Sequence, residues 1–248
     1  MSYESSILGV VFAILGLTAV ALSVGNARNL RRVISARSPA TAEPGSVVVA
    51  EGKLEREGEA VTAPLSGDRC VGYVLARQLY YSRHARFTRS WNTSGVWDAI
   101  PSFGVRGRQH VRVRRTRESR DSTSSRVRAA PGERFSDLHL ERTELSARYE
   151  PDESPPSGVS AVIDDSYDAD NPHRYAEWRL DTDDSVTVVG ELAETIPPTI
   201  TDDGSVFALS TGSVRSILFG FLTRTVLYLL FGLGLLAGAA VEFSTEFV

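Results

Sequence analysis

The sequence predicts a membrane protein in which two transmembrane α-helices flank a β-rich soluble domain, mixed α+β and barrel-like. Three observations carry this. Ile7–Val24 is apolar and uncharged, Ile217–Val241 is apolar apart from Arg224, and short Val-rich runs separated by turn residues fill the chain between them. A helix rises ~1.5 Å per residue, so roughly 17–25 apolar residues cross a ~30 Å hydrocarbon core. The expected organisation is an extracytoplasmic N-terminus (1–6), a first span (7–24) and a basic juxtamembrane linker (25–45). A soluble domain (46–212), an amphipathic juxtamembrane segment (213–224), a second span (225–241) and a short tail (242–248) follow.

The first span is followed by Arg28, Arg31, Arg32 and Arg37 and preceded only by Glu4. Lys/Arg excess marks the cytoplasmic side. Arg215 and Arg224 before the second span, with Glu242 and Glu246 after it, give the same orientation. The expectation is a two-span protein of the plasma membrane with its central domain in the cytoplasm. The rival reading of Ile7–Val24 is a cleaved signal peptide, with Gly25-Asn26-Ala27 as the cleavage site. It lacks a basic region before the apolar run.

Arg224 sets the start of the second span. An arginine at the bilayer centre costs roughly 2.5–3.5 kcal/mol. Starting the span at Thr225 lets Arg224 reach the interface. Val214, Ile217, Leu218 and Phe221 then share one face of an amphipathic helix on the inner membrane surface. The alternative is a single longer, tilted span. Gly9 with Ala13, and Gly234 with Gly238, are small-residue pairs at helical spacing, candidates for packing the spans together or forming a homo-oligomer.

Strand signals dominate the middle: Ser46–Leu54, Cys70–Tyr81, His110–Arg115 and Ser185–Leu192. Pro156–Ile163 reads as a short helix or a strand, Ser122–Ser125 as a loop tip and Pro151–Gly158 as a connector. Lys53 is the only lysine among 27 basic residues, against 31 acidic ones. That usage fits a halophilic or high-GC source and says nothing of activity. Cys70 is the only cysteine, which excludes internal disulfides and a cysteine-rich zinc module. His84, His110, His139 and His173 are scattered, so no metal or other cofactor is expected.

Val105–Arg128 holds nine arginines against Glu118 and Asp121, while Glu150–Asp203 holds fifteen acidic residues against Arg174 and Arg179. Arg112, Arg114, Arg115 and Arg117 are the candidate contacts to anionic lipid or a protein partner. The structural alternative is a solvated arginine face neutralised by the acidic half. No aromatic residue interleaves the arginines, so nucleic acid is not an expected partner.

Ala63-Pro64-Leu65-Ser66-Gly67, followed by Cys70 and Tyr73, resembles the signature of the GIDE/MAPL-type membrane family, whose domain lies beside a membrane. Gly52 stands where that family has a strand glycine. Arg174–Leu180 with Glu177, then Asp183 through Gly190, are similar to its next strands, and Val206–Ser210 to the segment entering its second span. The resemblance covers Ser46 to Val241. Where the family has Gly-Asp, this chain has Asp183-Asp184, and the arginine-rich stretch is no part of the signature. The resemblance implies a domain lying beside the membrane, and the double anchoring, the missing catalytic motif and the arginine stretch make a non-enzymatic binding or scaffolding module of that family the expected function. Its eukaryotic relatives append a RING zinc module that acts as an E3 ubiquitin transferase. The seven residues after Val241 contain no zinc ligand pattern, so that activity is the alternative, by resemblance only.

The residues contain no P-loop, dinucleotide fingerprint or nucleophile elbow. Ser66-Gly67 reads as a turn after Pro64 rather than as part of a triad with His84 or His110. Cys70 reads as a buried small hydrophobe, and as a reactive thiol only if its pKa is lowered. Glu177 reads as a turn anchor or an arginine partner, with ligand binding as the functional alternative.

Overall fold

The computed structural model describes residues 3–81, 90–115, 138–139, 145–149, 155–163, 172–203 and 206–245. They fall into two compact units, Arg37–Val214 and the chain ends Met1–Ala36 with Arg215–Val248.

The first unit is built on a closed β-barrel. Its strands are β1 (Val47–Arg56), β6 (Phe103–Arg106), β7 (His110–Arg114), β11 (Ser185–Thr195) and β12 (Pro198–Thr201). They pair in the ring β1-β6-β7-β12-β11, and β1–β11 pairing from Val47↔Glu191 to Lys53↔Ser185 closes it. All pairs are antiparallel except β7 with β12. Alternation decides which face is inside. In β7, Val111 and Val113 are buried while Arg112 and Arg114 are exposed. Val48, Ala50, Leu54, Phe103, Val105, Val186, Val188, Leu192 and Ile200 fill the same core.

Two glycines occupy core-facing positions of that alternation because the neighbouring strand, β6 beside β1 and β12 beside β11, comes too close for a side chain. A Cβ at Gly52 would stand 2.4 Å from the Arg106 carbonyl oxygen. One at Gly190 would stand 2.5 Å from Cγ2 of Ile200. Asp183, in the turn entering β11, has φ +70°. That is left-handed backbone, where glycine is unstrained.

The other elements of this unit are β2 (Val61–Thr62), β3 (Arg69–Cys70), β4 (Gly72–Tyr81), β5 (Ser90–Ala99), β8 (Leu138–His139), β9 (Leu145–Tyr149), α2 (Ser157–Val162), β10 (His173–Leu180) and β13 (Ala208–Ser210). A four-stranded antiparallel sheet runs β5-β4-β10-β9. Val74 and Leu180 from this sheet join the barrel core. Tyr73, Leu75 and Tyr175 alternate with them and pack in a second cluster with Ala63, Cys70, Val159 and Ile163. That cluster is roofed by the β2–β3 hairpin and α2. Pro156–Ile163 resolves to the helix. β13 pairs with β11 and, in parallel, with β8.

The second unit is a pair of helices, α1 (Tyr3–Ile34) and α3 (Val214–Thr245), each of 32 residues. Both are long and apolar enough to cross a membrane. Their large side chains point outward: Leu17 is 61% exposed and Leu230 and Phe231 are 62% exposed, unlike those of a soluble core helix. The helices meet through small residues one heptad apart. The Ser23 hydroxyl donates to the Thr225 carbonyl at 2.9 Å. A Cβ on Gly16 would lie 3.0 Å from the Gly232 carbonyl oxygen, and one on Gly9 would lie 3.2 Å from the Phe243 ring. Ala239, one heptad beyond Gly232, is buried. Ascending positions in α1 meet descending positions in α3, so the pair is antiparallel.

α3 runs unbroken through 213–224 and 225–241, apart from its start at Val214, so the amphipathic segment and the span share one helix and Arg224 lies inside it. The small-residue pairs are placed unevenly. Gly9 faces Phe243, Ala13 is half-buried and Gly238 lies near Phe12, whereas Gly234 has nothing within 4 Å.

Gly52→Ala is expected to destabilise the protein by about 1–3 kcal/mol, because the clash is with backbone. Gly58→Ala, at an exposed position with open space, should change stability by no more than about 0.5 kcal/mol. Thermal unfolding of the detergent-purified chain, followed by tryptophan fluorescence, checks both. Equal midpoints for the two variants would contradict the close wall contact.

Candidate functional site

The signature residues gather at the β2–β3 hairpin. Pro64 supplies a fixed φ, and Gly67 at φ +77° turns the chain back. The Gly67 N–H donates to the Ala63 carbonyl at 2.9 Å, and the Ala63 N–H donates to the Asp68 carbonyl at 2.8 Å. Ser66 Oγ accepts from the Asp68 N–H at 3.3 Å. The turn therefore presents the N–H groups of Leu65 and Ser66 inward. The carboxylate of Glu177, a fully buried residue of β10, accepts both, at 2.7 Å and 3.3 Å. A buried carboxylate needs such donors. Glu177 thus anchors the turn, one of the roles read from the sequence. Gly158 of α2 completes the enclosure, since a Cβ there would stand 2.6 Å from the Pro64 carbonyl oxygen.

Cys70 and Tyr73 lie beneath this turn. The Cys70 thiol donates to the Val61 carbonyl at 3.7 Å. Burial, followed by the charges of Asp181 and Glu177, pushes its pKa up to about 11 from an ordinary 9.0. Burial also raises Tyr73, with Cys70 next in effect. A nucleophilic cysteine needs the opposite shift. The structure therefore brings Pro64, Ser66, Gly67, Cys70, Tyr73 and Glu177 together as a packed anchor whose polar groups face one another. Gly52 and Gly190 belong to the barrel wall.

Of the histidines with described side chains, His110 and His173, neither joins Ser66. His110 lies 3.3 Å from Glu55 and 3.9 Å from Glu57 across the β1–β6–β7 surface. His173 is buried and stacks on Tyr149 at 5.5 Å between ring centres. His84 is outside the described residues. Among the described residues no group of three His, Cys, Asp or Glu side chains is arranged to hold a metal.

The candidate contact arginines are engaged within the domain. Arg112 pairs with Glu57 at 2.8 Å and Arg114 with Glu194 at 2.7 Å. Arg115 is the buried one of the set. Its Nε lies 3.1 Å from Asp202 Oδ2, an ion pair without aligned hydrogen-bond geometry, and its guanidinium covers the Phe207 ring at 5.2 Å. Arg115 also reaches Asp98 at 3.4 Å. Neighbouring Arg106 pairs with Glu55 and Asp183. Carboxylates both of the acidic half, at Asp183, Glu194 and Asp202, and outside it, at Glu55, Glu57 and Asp98, thus pair with Arg106, Arg112, Arg114 and Arg115, mostly as exposed pairs worth about 0–1 kcal/mol each. Arg117 and Ser122–Ser125 lie outside the described residues.

Sequence reasoning missed the Gly16–Gly232 crossing. The available signal was the heptad Gly9, Gly16, Ser23 facing Thr225, Gly232, Ala239, rather than the four-residue spacing of Gly234 and Gly238.

Glu177→Ala should cost about 1–3 kcal/mol by leaving two half-buried N–H groups without their acceptor, and thermal unfolding measures it. Cys70 gives a pH signature. Below pH 9 the thiol is protonated in the folded and unfolded chain alike and adds no pH dependence. Between about pH 9 and 11 the unfolded chain ionises first, so stability falls across that window. Unfolding of the wild type against Cys70→Ala across this range isolates the effect. An equal alkaline loss in both proteins would refute it. No family model, curated protein or solved structure matches the chain, so its resemblance to the GIDE family rests on the motif residues themselves.

Proposed function

We propose that the protein is a non-enzymatic membrane-anchored binding or scaffolding module of the GIDE type. Its helix pair crosses the plasma membrane and displays the β-rich domain in the cytoplasm to lipid or protein partners. One observation carries this reading. The outward-facing apolar parts of α1 and α3 lie side by side, with arginines beyond one end and Glu4 and Glu242 at the other. Charge placed in that way orients a two-span protein with the arginine end inward. The domain between the spans engages its signature polar groups internally, which suits a displayed scaffold. Modifier transfer through this chain's own residues would require Cys70 as a thiolate, and a buried thiol with a pKa of about 11 weighs against it.

Single-cysteine probes at Gly58 and Ser244 in a Cys70→Ser background test the orientation. Labelling of Gly58→Cys only from the cytoplasmic side, and of Ser244→Cys only from outside, is expected. Labelling of Gly58→Cys from outside would overturn the cytoplasmic placement. Replacing Cys70 by Ser should leave the cellular phenotype of the full chain intact. Its loss with normal protein level would favour the transferase alternative.

A further inference from the structure

We infer that Arg28, Arg31, Arg32, Arg215 and Arg224 form a collar on the helix pair that binds the phosphates of anionic phospholipids in the bilayer the pair crosses. This rests on the spanning proposed above. The register supplies the geometry. Ser23 meets Thr225 and Gly16 meets Gly232, so α1 and α3 positions at one level sum to the same number. By that rule the uncharged stretch Ile7–Ser23 lies beside the uncharged stretch Thr225–Val241. Each is about 25 Å long at ~1.5 Å per residue, close to the hydrocarbon thickness.

Counting on from the Ser23–Thr225 level gives the height of each arginine. Arg224 stands ~1.5 Å beyond it, Arg28 ~7.5 Å, Arg31 and Arg32 ~12–14 Å and Arg215 ~15 Å. Five cations are thus gathered in the two or three turns that leave the apolar slab, the depth of the headgroups. Residues 25–36 and 214–224 hold no acidic residue. Arg28, Arg31, Arg32 and Arg215 are exposed, and Arg224 is half-buried at the boundary.

Local electrostatics does not account for this collection. Arg31 and Arg32 in the last turn of α1 suit the negative end of a helix dipole. Arg215 sits in the first turn of α3, the positive end, where a cation is disfavoured and no acidic residue offsets it. An external anion at the headgroup level satisfies Arg215 together with Arg31 and Arg32. The domain arginines already have carboxylate partners: Arg112 is held by Glu57 and Arg114 by Glu194. The lipid-binding role expected of the domain arginines therefore passes to the helical ones.

Native mass spectrometry of the full chain, offered equal phosphatidylglycerol and phosphatidylcholine in micelles, tests this. The wild type should retain phosphatidylglycerol preferentially. The triple variant Arg31→Gln, Arg32→Gln, Arg215→Gln should lose retention by about fivefold for each arginine removed. Arg112→Ser with Arg114→Ser should retain it as the wild type does, and Lys at the three collar positions should keep the preference. Equal retention of the two lipids by the wild type overturns the collar, as does unchanged retention in the Gln variant. Alkaline extraction of native membranes separates the underlying reading. Release of the wild-type chain overturns both spanning and collar, whereas a chain that stays in the pellet without lipid preference overturns only the collar.

Discussion

The barrel depends on β1 being hydrogen-bonded along both edges. It pairs with β11 from Val47 to Lys53 and with β6 from Lys53 to Arg56. Only a ring gives every strand two neighbours, and a ring of five has a narrow interior. Gly52 and Gly190 sit at inward positions because β6 passes close to β1 there, and β12 close to β11. Either glycine as a larger residue would force β1 from β6, or β11 from β12, and reopen the edge. The closed wall in turn fixes the lid sheet, because Val74 and Leu180 bury their side chains in the barrel core.

The lid's far face carries the signature anchor, and its physical logic differs from that of the barrel. Apolar packing alone would leave the half-buried N–H groups of Leu65 and Ser66 without the acceptor they have here. Glu177 supplies one carboxylate for both, so a charged group becomes the local organiser of a turn. The same enclosure raises the Cys70 thiol, since its low-polarity surroundings and the adjacent carboxylates both oppose a thiolate. Anchoring the turn and activating the cysteine are therefore incompatible demands on this site. The arrangement serves the first.

What could be read from the residues follows how local the cause was. Strands at Ser46–Leu54, His110–Arg115 and Ser185–Leu192 were legible because these short runs are rich in valine, which alternates with arginine in His110–Arg115. The two apolar spans were legible from length alone. A barrel-like domain was legible in kind, but which strands close it was not, because closure needs the parallel pairing of β7 with β12, distant in sequence, which leaves no local mark. β5 was missed as well: Ser-Trp-Asn-Thr-Ser-Gly reads as turn residues, and its strand conformation comes from pairing with β4. Glu177 was legible as a turn anchor in kind, but the turn it holds is more than a hundred residues away. The arginine stretch could be read either as a lipid or partner contact or as a face neutralised within the domain, because Glu57 and Glu194, the partners of Arg112 and Arg114, lie far away in sequence.

The helix pair shows why two separate patterns must agree. Small residues at heptad spacing allow close approach but recur, so they do not by themselves choose a register. Sliding α3 by one heptad would again oppose small residues, with Thr225 now meeting Gly16. It would also carry Arg224 to the level of Leu17, ~10 Å inside the apolar slab. An arginine at such depth costs a few kcal/mol, more than one lost glycine contact is worth. The opposite slide would set Glu242 of α3 inside the slab, alongside Ala13. Charges at both ends of α3 therefore exclude the neighbouring registers, while Gly16 and Gly232 provide the packing in the remaining one. The collar and the close contact are thus two parts of one specification.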